Sequence, residues 1–132
     1  VHRDPSATCW GIFKQCFTLD ADALGFAYCL DDIVEYYKLY LNLMRFFRDS
    51  LNDNFYDLDY ESLVVNNEKE TRNLLQYLNI DWDEACLSPH KNPRPALTAS
   101  NIQVREKIYQ GSSNRWKNFQ PFLNGALDNI GK

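Results

Sequence analysis

Glycine and proline are scarce in this sequence, with five of each among 132 residues. That excludes a collagen-like, linker-rich or low-complexity chain. No apolar run approaches the ~20 residues that cross a bilayer as a helix, so no membrane span is expected. Positive charge is not in excess. The formal net charge is −4, which argues against a general nucleic-acid binder or a protein of anionic membrane surfaces. No secretory hydrophobic stretch follows Val1-His2-Arg3-Asp4-Pro5. The four cysteines, Cys9, Cys16, Cys29 and Cys86, contain no C-x-x-C pair, so neither a zinc ribbon nor a redox motif is expected. Cys9 and Cys16 stand seven apart in an expected helix, about 10 Å along its axis, too far for a disulfide. Buried free thiols are the expectation, a Cys29–Cys86 bridge is left open, and the usage leans toward a reducing, cytoplasmic compartment. A Walker-type phosphate loop, G-x-S-x-G, H-E-x-x-H and paired carboxylates are all missing. From residue patterns alone, no catalytic centre and no metal site can be assembled.

What is present is core material: 45% apolar and 14% aromatic residues, enough to exclude disorder. Asp4-Pro5-Ser6 reads as a helix start, with Pro5 at the first position and Asp4 as cap. That helix is expected to run to Phe17. From Ala27 to Leu51, apolar residues fall at Leu30, Ile33, Val34, Tyr37, Leu41, Met44, Phe47 and Leu51, the helical period. Phe55–Tyr60 alternates and is aromatic, which reads as a strand, and Val1-His2 reads as the tail of a second one. Further helices are expected over Glu68–Leu78 (capped by Asn67), in a short turn after Asp81, over Ser100–Lys107, over Asn114–Phe119 and over Pro121–Ile130. Prolines 89, 93 and 95 make Ser88–Ala96 a loop. The expected fold is mainly α, about six helices and one or two short strands. Such a set matches the second half of an α/β domain whose sheet strands lie mostly upstream, because a lone strand leaves its backbone groups without partners.

Four residues stand where anion-binding chemistry needs them. Arg3 ends a strand directly before a helix N-terminus, where free N–H groups and the dipole attract anions and a guanidinium fork matches phosphate. Pairing of Arg3 with Asp4 or another carboxylate is the competing structural role. Tyr60 closes the aromatic strand and either packs or presents its hydroxyl. Ser100 and Arg115 lie in a basic stretch that also carries Arg105, Lys107, Gly111, Ser112, Ser113 and Lys117. That stretch reads as a cover over an anion or as a solvated face with Trp116 and Phe119 in the core.

Taken together, these residues resemble the C-terminal half of the sulfotransferases that use 3′-phosphoadenosine 5′-phosphosulfate. The nearest likeness is to the bacterial type joined to tetratricopeptide repeats and to the protein-tyrosine sulfotransferases. The resemblance is carried by Arg3-Asp4-Pro5, Gly25-Phe26-Ala27-Tyr28, Asp32, Tyr36-Tyr37 and Asp59-Tyr60-Glu61-Ser62-Leu63-Val64. It continues through Asn92, Thr98-Ala99-Ser100, Gln103-Val104-Arg105, Ile108-Tyr109, Ser112 and Arg115-Trp116. It implies a P-loop-like α/β fold, a nucleotide sulfate donor and an acceptor hydroxyl compound. By the resemblance, Arg3 binds the donor's 3′-phosphate, while Tyr60, Ser100 and Arg115 touch the nucleotide. Two positions depart from the pattern: Gly11 stands where a second phosphate-binding serine is usual, and Ala7 where an aspartate is common. The family's phosphosulfate loop and catalytic base lie upstream of the Arg-Asp-Pro corner. The expectation is therefore one unit over residues 1–132, the C-terminal half of a sulfotransferase domain without that loop, contributing 3′-phosphate and adenosine contacts but no catalytic residue and no metal. The alternative is a non-catalytic helical interaction module. In either case exposed apolar helix faces favour a homo-oligomer.

Overall fold

A computed structural model describes residues 1–17, 22–95, 105–128 and 130. The fold is mainly α. Its described residues form two compact units: Val1–His2 with Tyr56–Gln110, and Arg3–Phe55 with Gly111–Lys132.

In the second of these, α1 spans Pro5–Phe13. Asp4 starts it: its carboxylate accepts the Ala7 N–H at 2.7 Å, and Pro5 occupies a first-turn position where no N–H is needed. The helix stops four residues short of the expected Phe17. Cys16 adopts φ 48°, a left-handed conformation that ends helical runs, and the Phe17 carbonyl accepts the Tyr28 hydroxyl. A 3₁₀ segment, Asp22–Tyr28, then leads into α2, Leu30–Leu51. This helix begins three residues later than its periodicity suggests, because Cys29 is extended. It ends at Asn52, whose φ is 45°. Over 22 residues it is about 33 Å long.

The core of this unit is built on one face of α2. Ile33, Val34 and Tyr37 are buried with Cys9 of α1 and Leu127 near the C-terminus. Trp10, Phe13, Leu41 and Trp116 pack against them half-buried. The tail that closes over this face is not the expected helix from Pro121 to Ile130. It is a 3₁₀ turn, Gln120–Phe122, followed by turns in which Asn124 and Gly125 both have positive φ. Two left-handed residues in succession are incompatible with an α-helix. Likewise the segment expected as a helix from Asn114 is 3₁₀, Ser112–Asn118.

In the other unit, His2 and Asp59 form a parallel bridge. The His2 N–H donates to the Leu58 carbonyl and the Tyr60 N–H to the His2 carbonyl, both at 2.9 Å. The two expected strands do pair, but over a single residue each. Both are cut short by an aspartate that caps a helix: Asp4 caps α1, and Asp59 caps α3, Tyr60–Val65. Asp59 holds the start of α3, accepting the Ser62 N–H at 2.7 Å. Helix α4 follows over Asn67–Tyr77. Arg72 on it pairs with Glu68 at 2.7 Å and lies over the Trp82 ring at 3.7 Å. The turn expected after Asp81 is a 3₁₀ segment, Glu84–Leu87, capped by Asp83. The Ser88–Ala96 loop contains one 3₁₀ turn, Pro89–Lys91. Most of the helix expected over Ser100–Lys107 lies outside the described residues, and Lys107 sits in irregular backbone.

All four cysteines are free, but only Cys9 is buried, which corrects the expectation of four buried thiols. Burial, and then the Asp4 charge, push the Cys9 thiol up to about 11; it is a packing residue, not a nucleophile. No helix among the described residues is long and apolar enough to cross a membrane.

Two outcomes follow. Ile33→Ala, at a side chain 1% exposed, is expected to lower unfolding free energy by ~2–5 kcal/mol. Leu39→Ala, at 67% exposure, is expected to change it by about 0.5 kcal/mol or less; urea unfolding of the two variants reads the contrast. For Asp59, hydrogen bonds from the Ser62 hydroxyl and then the Ser62 N–H hold the carboxyl below its ordinary 3.8, with the His2 charge adding a smaller effect in the same direction. A depressed folded value favours the ionised, folded form. Its contribution is therefore present above the unfolded value of about 3.9 and is lost as pH falls through the folded one. An NMR titration of the Asp59 side-chain carbon is expected to give a midpoint below 3.8, and Ser62→Ala is expected to move that midpoint up.

Candidate functional site

The backbone leaves the parallel bridge at His2 and turns at Arg3 into the Asp4 cap. The Asp4 carboxylate already occupies the Ala7 N–H, and Pro5 has none to offer. The N-terminus of α1 is thus largely satisfied by its own cap. The cation available at this corner is Arg3, and the helix N-terminus adds little beside it.

Arg3 is half-buried. Its Nε donates to the Ser113 hydroxyl at 3.0 Å, and its Nη2 donates to the Ser112 hydroxyl at 3.1 Å. These two bonds span 110 and 109 residues of sequence. They fix the plane of the guanidinium against the turn Ser112–Asn118. Gly111, with φ 91°, starts that turn, and any residue with a Cβ would be strained there. The same turn carries Arg115 and Lys117 in its last residues and has no acidic residue in its first turn.

Each serine oxygen accepts from Arg3. The cluster therefore gathers a planar cation, two hydroxyls and further cations on one short turn. That donor set suits a phosphate or sulfate ester. Trp116 in the same turn has a buried indole Nε1–H that meets no acceptor among the described residues. A buried donor without a partner costs about 1–3 kcal/mol, and an acceptor from a bound nucleotide or an adjoining stretch of chain would relieve it. The residues present thus fit the 3′-phosphate end of the expected donor.

Of the four residues singled out from the sequence, the structure brings Arg3 to the turn that carries Arg115. Tyr60 belongs to the other unit, at the first position of α3, with its N–H on the His2 carbonyl at 2.9 Å. Ser100 lies outside the described residues. The feature that sequence reasoning missed is the pairing of Arg3 with Ser112 and Ser113. Both hydroxyls were visible beside Gly111 and Arg115, but nothing in the local pattern joined them to a residue more than a hundred positions away. His2 is turned toward Asp59, Nδ1 to Oδ2 3.4 Å, so it serves the bridge. Among the described residues no group of three or more His, Cys, Asp or Glu side chains is placed to hold a metal ion.

Comparison with known proteins bears on the family rather than on this geometry. A curated protein of Aquifex aeolicus (strain VF5), described as an uncharacterized protein, is 28% identical over 116 residues, which cover 88% of this chain and 15% of the relative. The chain thus spans about 15% of the length of that relative. No solved structure gives a significant match. The model of the sulfotransferase family matches residues 1–84, a stretch that holds the Arg3 corner, α1, α2 and the Asp59-Tyr60 start of α3, and on that match the chain belongs to the sulfotransferase family.

Proposed function

We propose that this chain is the nucleotide-capping C-terminal half of a sulfotransferase domain. Its donor in this reading is 3′-phosphoadenosine 5′-phosphosulfate, and the whole domain moves the sulfuryl group to an acceptor hydroxyl. Family membership supports sulfotransferase-type transfer; the donor and the capping role are the further step. One observation carries that step: the Arg3 guanidinium is held by two hydroxyls, Ser112 and Ser113, on the turn that carries Arg115.

In this reading Arg3 is the charge that recognises the 3′-phosphate. Ser112 and Ser113 take over the hydroxyl contact that a serine at the position of Gly11 supplies in the family pattern. Arg115 adds a second cation, and Tyr60 and Ser100 contact the nucleotide as the resemblance implies. The donor supplies the activated sulfuryl group. Its transfer demands in-line positioning and dense hydrogen-bond donation around the moving group. No phosphate loop occurs in the 132 residues, so the segment binds and orients but does not transfer.

Calorimetry with 3′,5′-adenosine bisphosphate tests this. Weak binding is expected for the chain and none for adenosine 5′-monophosphate at the same concentration. Arg3→Met is expected to weaken binding by roughly 10- to 100-fold, the loss of about 1.5–3 kcal/mol for a charged hydrogen-bonding group. No heat at millimolar bisphosphate refutes the capping role. Sulfate transfer from a labelled donor by the 132-residue chain alone refutes the assignment of catalysis to residues outside it.

A second reading, a helical interaction module, is favoured by α2. Besides its buried face the helix exposes Tyr36, Leu39, Leu43 and Phe46, at 53%, 67%, 48% and 62%. Their spacing of three, four and three residues makes a continuous apolar seam. The occupant we assign is a second copy of the chain, because a seam of a/d spacing packs against its own like. Light scattering is expected to give a mass above 15.5 kDa at high concentration, and Leu39→Glu with Phe46→Glu is expected to return the monomer. A sharp monomer in the unaltered chain at every concentration refutes the seam as an interface.

A further inference from the structure

The unit made of Val1–His2 and Tyr56–Gln110 holds a cleft that the sulfotransferase reading does not use. Its volume is about 490 Å³, within the ~300–1,000 Å³ of small-molecule sites. Val64, Leu87 and Ile108 form its apolar walls, and His90, Lys91 and Lys107 line it with three basic groups. These three come from two separate stretches of chain. Among the described residues, no hydrogen bond or ion pair engages any of their side chains.

The lining includes a single carboxylate, Glu68. Its Oε1 already takes Arg72 through both Nε at 2.9 Å and Nη2 at 2.7 Å. It is therefore committed elsewhere and does little to neutralise the cleft. Two neighbouring depressions make a useful contrast. One, about 740 Å³, is lined by Asp83 and Glu84 as well as Lys91, so its charges are mixed. The other, about 550 Å³, has Lys69 and an Arg72 that is spent on Glu68 and Trp82. Of these three, the 490 Å³ cleft is the one that sets three basic side chains against Val64, Leu87 and Ile108.

We infer that this cleft binds a small organic anion: a sulfonate, sulfate ester or carboxylate carried on an apolar body. The Val64, Leu87 and Ile108 walls take the body, Lys91 and Lys107 take the charge, and the His90 ring adds a hydrogen-bonding group. Ser88 and Asn67, also on the lining, offer neutral donors that fix its orientation. Lys91 and Lys107 are exposed, so each adds only a modest, salt-screened share of affinity. Selectivity comes from needing both charge and body. This site stands on residues different from Arg3, Ser112, Ser113 and Arg115, so it does not depend on nucleotide capping.

The test is an NMR titration of the full 132-residue chain with naphthalene-2-sulfonate. Neutral 2-naphthol and inorganic sulfate serve as comparators. Saturating shifts are expected at the amides of Ser88, His90, Lys91, Lys107 and Ile108, with both comparators binding at least about tenfold more weakly. Lys91→Ala and Lys107→Ala are each expected to weaken binding by about two- to fivefold, and the double variant further. Both side chains are exposed, and the amide spectrum verifies that the variants fold. Arg3→Met is expected to leave the titration unchanged. Four results overturn the inference: no cleft shifts at millimolar sulfonate, equal binding of 2-naphthol, equal binding of inorganic sulfate, or unaltered affinity in the double lysine variant. Loss of the shifts in Arg3→Met overturns it too, since it relocates the anion to the capping turn.

Discussion

One apolar contact governs the unit that holds Arg3. Ile33, Val34 and Tyr37 on α2 are buried against Cys9 of α1 and Leu127 of the tail. At ~25 cal/mol per Å² of apolar area, this burial is the largest favourable contribution available to the unit. It also has a geometric consequence. By holding the first helix and the last turns on one face of α2, it brings residue 3 to residues 112 and 113. No local propensity could do that. The Arg3 corner is a by-product of core packing, and a substitution at Ile33 is expected to be felt at Arg3 through the position of its hydroxyl partners.

A second theme is the double use of aspartate. Asp4 and Asp59 each end a stretch of extended backbone and start a helix. Between them the chain gains one parallel bridge and two capped helices. The capping carboxylate at Asp4 shields the N-terminus of α1. In the proposed reading, recognition of an anion at that corner therefore passes to the guanidinium, which is directional.

Charge in this molecule is organised locally rather than globally. The net charge of −4 describes neither the turn Ser112–Asn118, with Arg115 and Lys117, nor the cleft lined by His90, Lys91 and Lys107. Both are places where cations and neutral hydrogen-bonding groups share one short turn or one cleft lining. At an ionic strength near 0.15 M fields are screened beyond ~8 Å, so the proposed binding at both places rests on these local sets rather than on the net charge.

The sequence by itself determined the class and most of the punctuation. Periodicity over Leu30–Leu51 is read from single residues, since burying one face of a helix imposes a spacing that any fold must obey. Asp4-Pro5 and Asp59 are legible for the same reason: a cap acts on N–H groups two or three residues away. The exposed seam of Tyr36, Leu39, Leu43 and Phe46 was hidden because periodicity counts apolar residues without saying which of two adjacent stripes the core takes. The strand at Phe55–Tyr60 was overread because alternation cannot report that its partner lasts one residue. At the C-terminus, left-handed Asn124 and Gly125 defeated the helix expected after Pro121. Arg3 and Arg115 were nameable as candidates from their types and neighbours. That Arg3 meets Ser112 and Ser113 was decided only by tertiary structure, because the energy that joins them lies in the packing of α1 and the tail on α2, and not in any stretch of sequence that contains them.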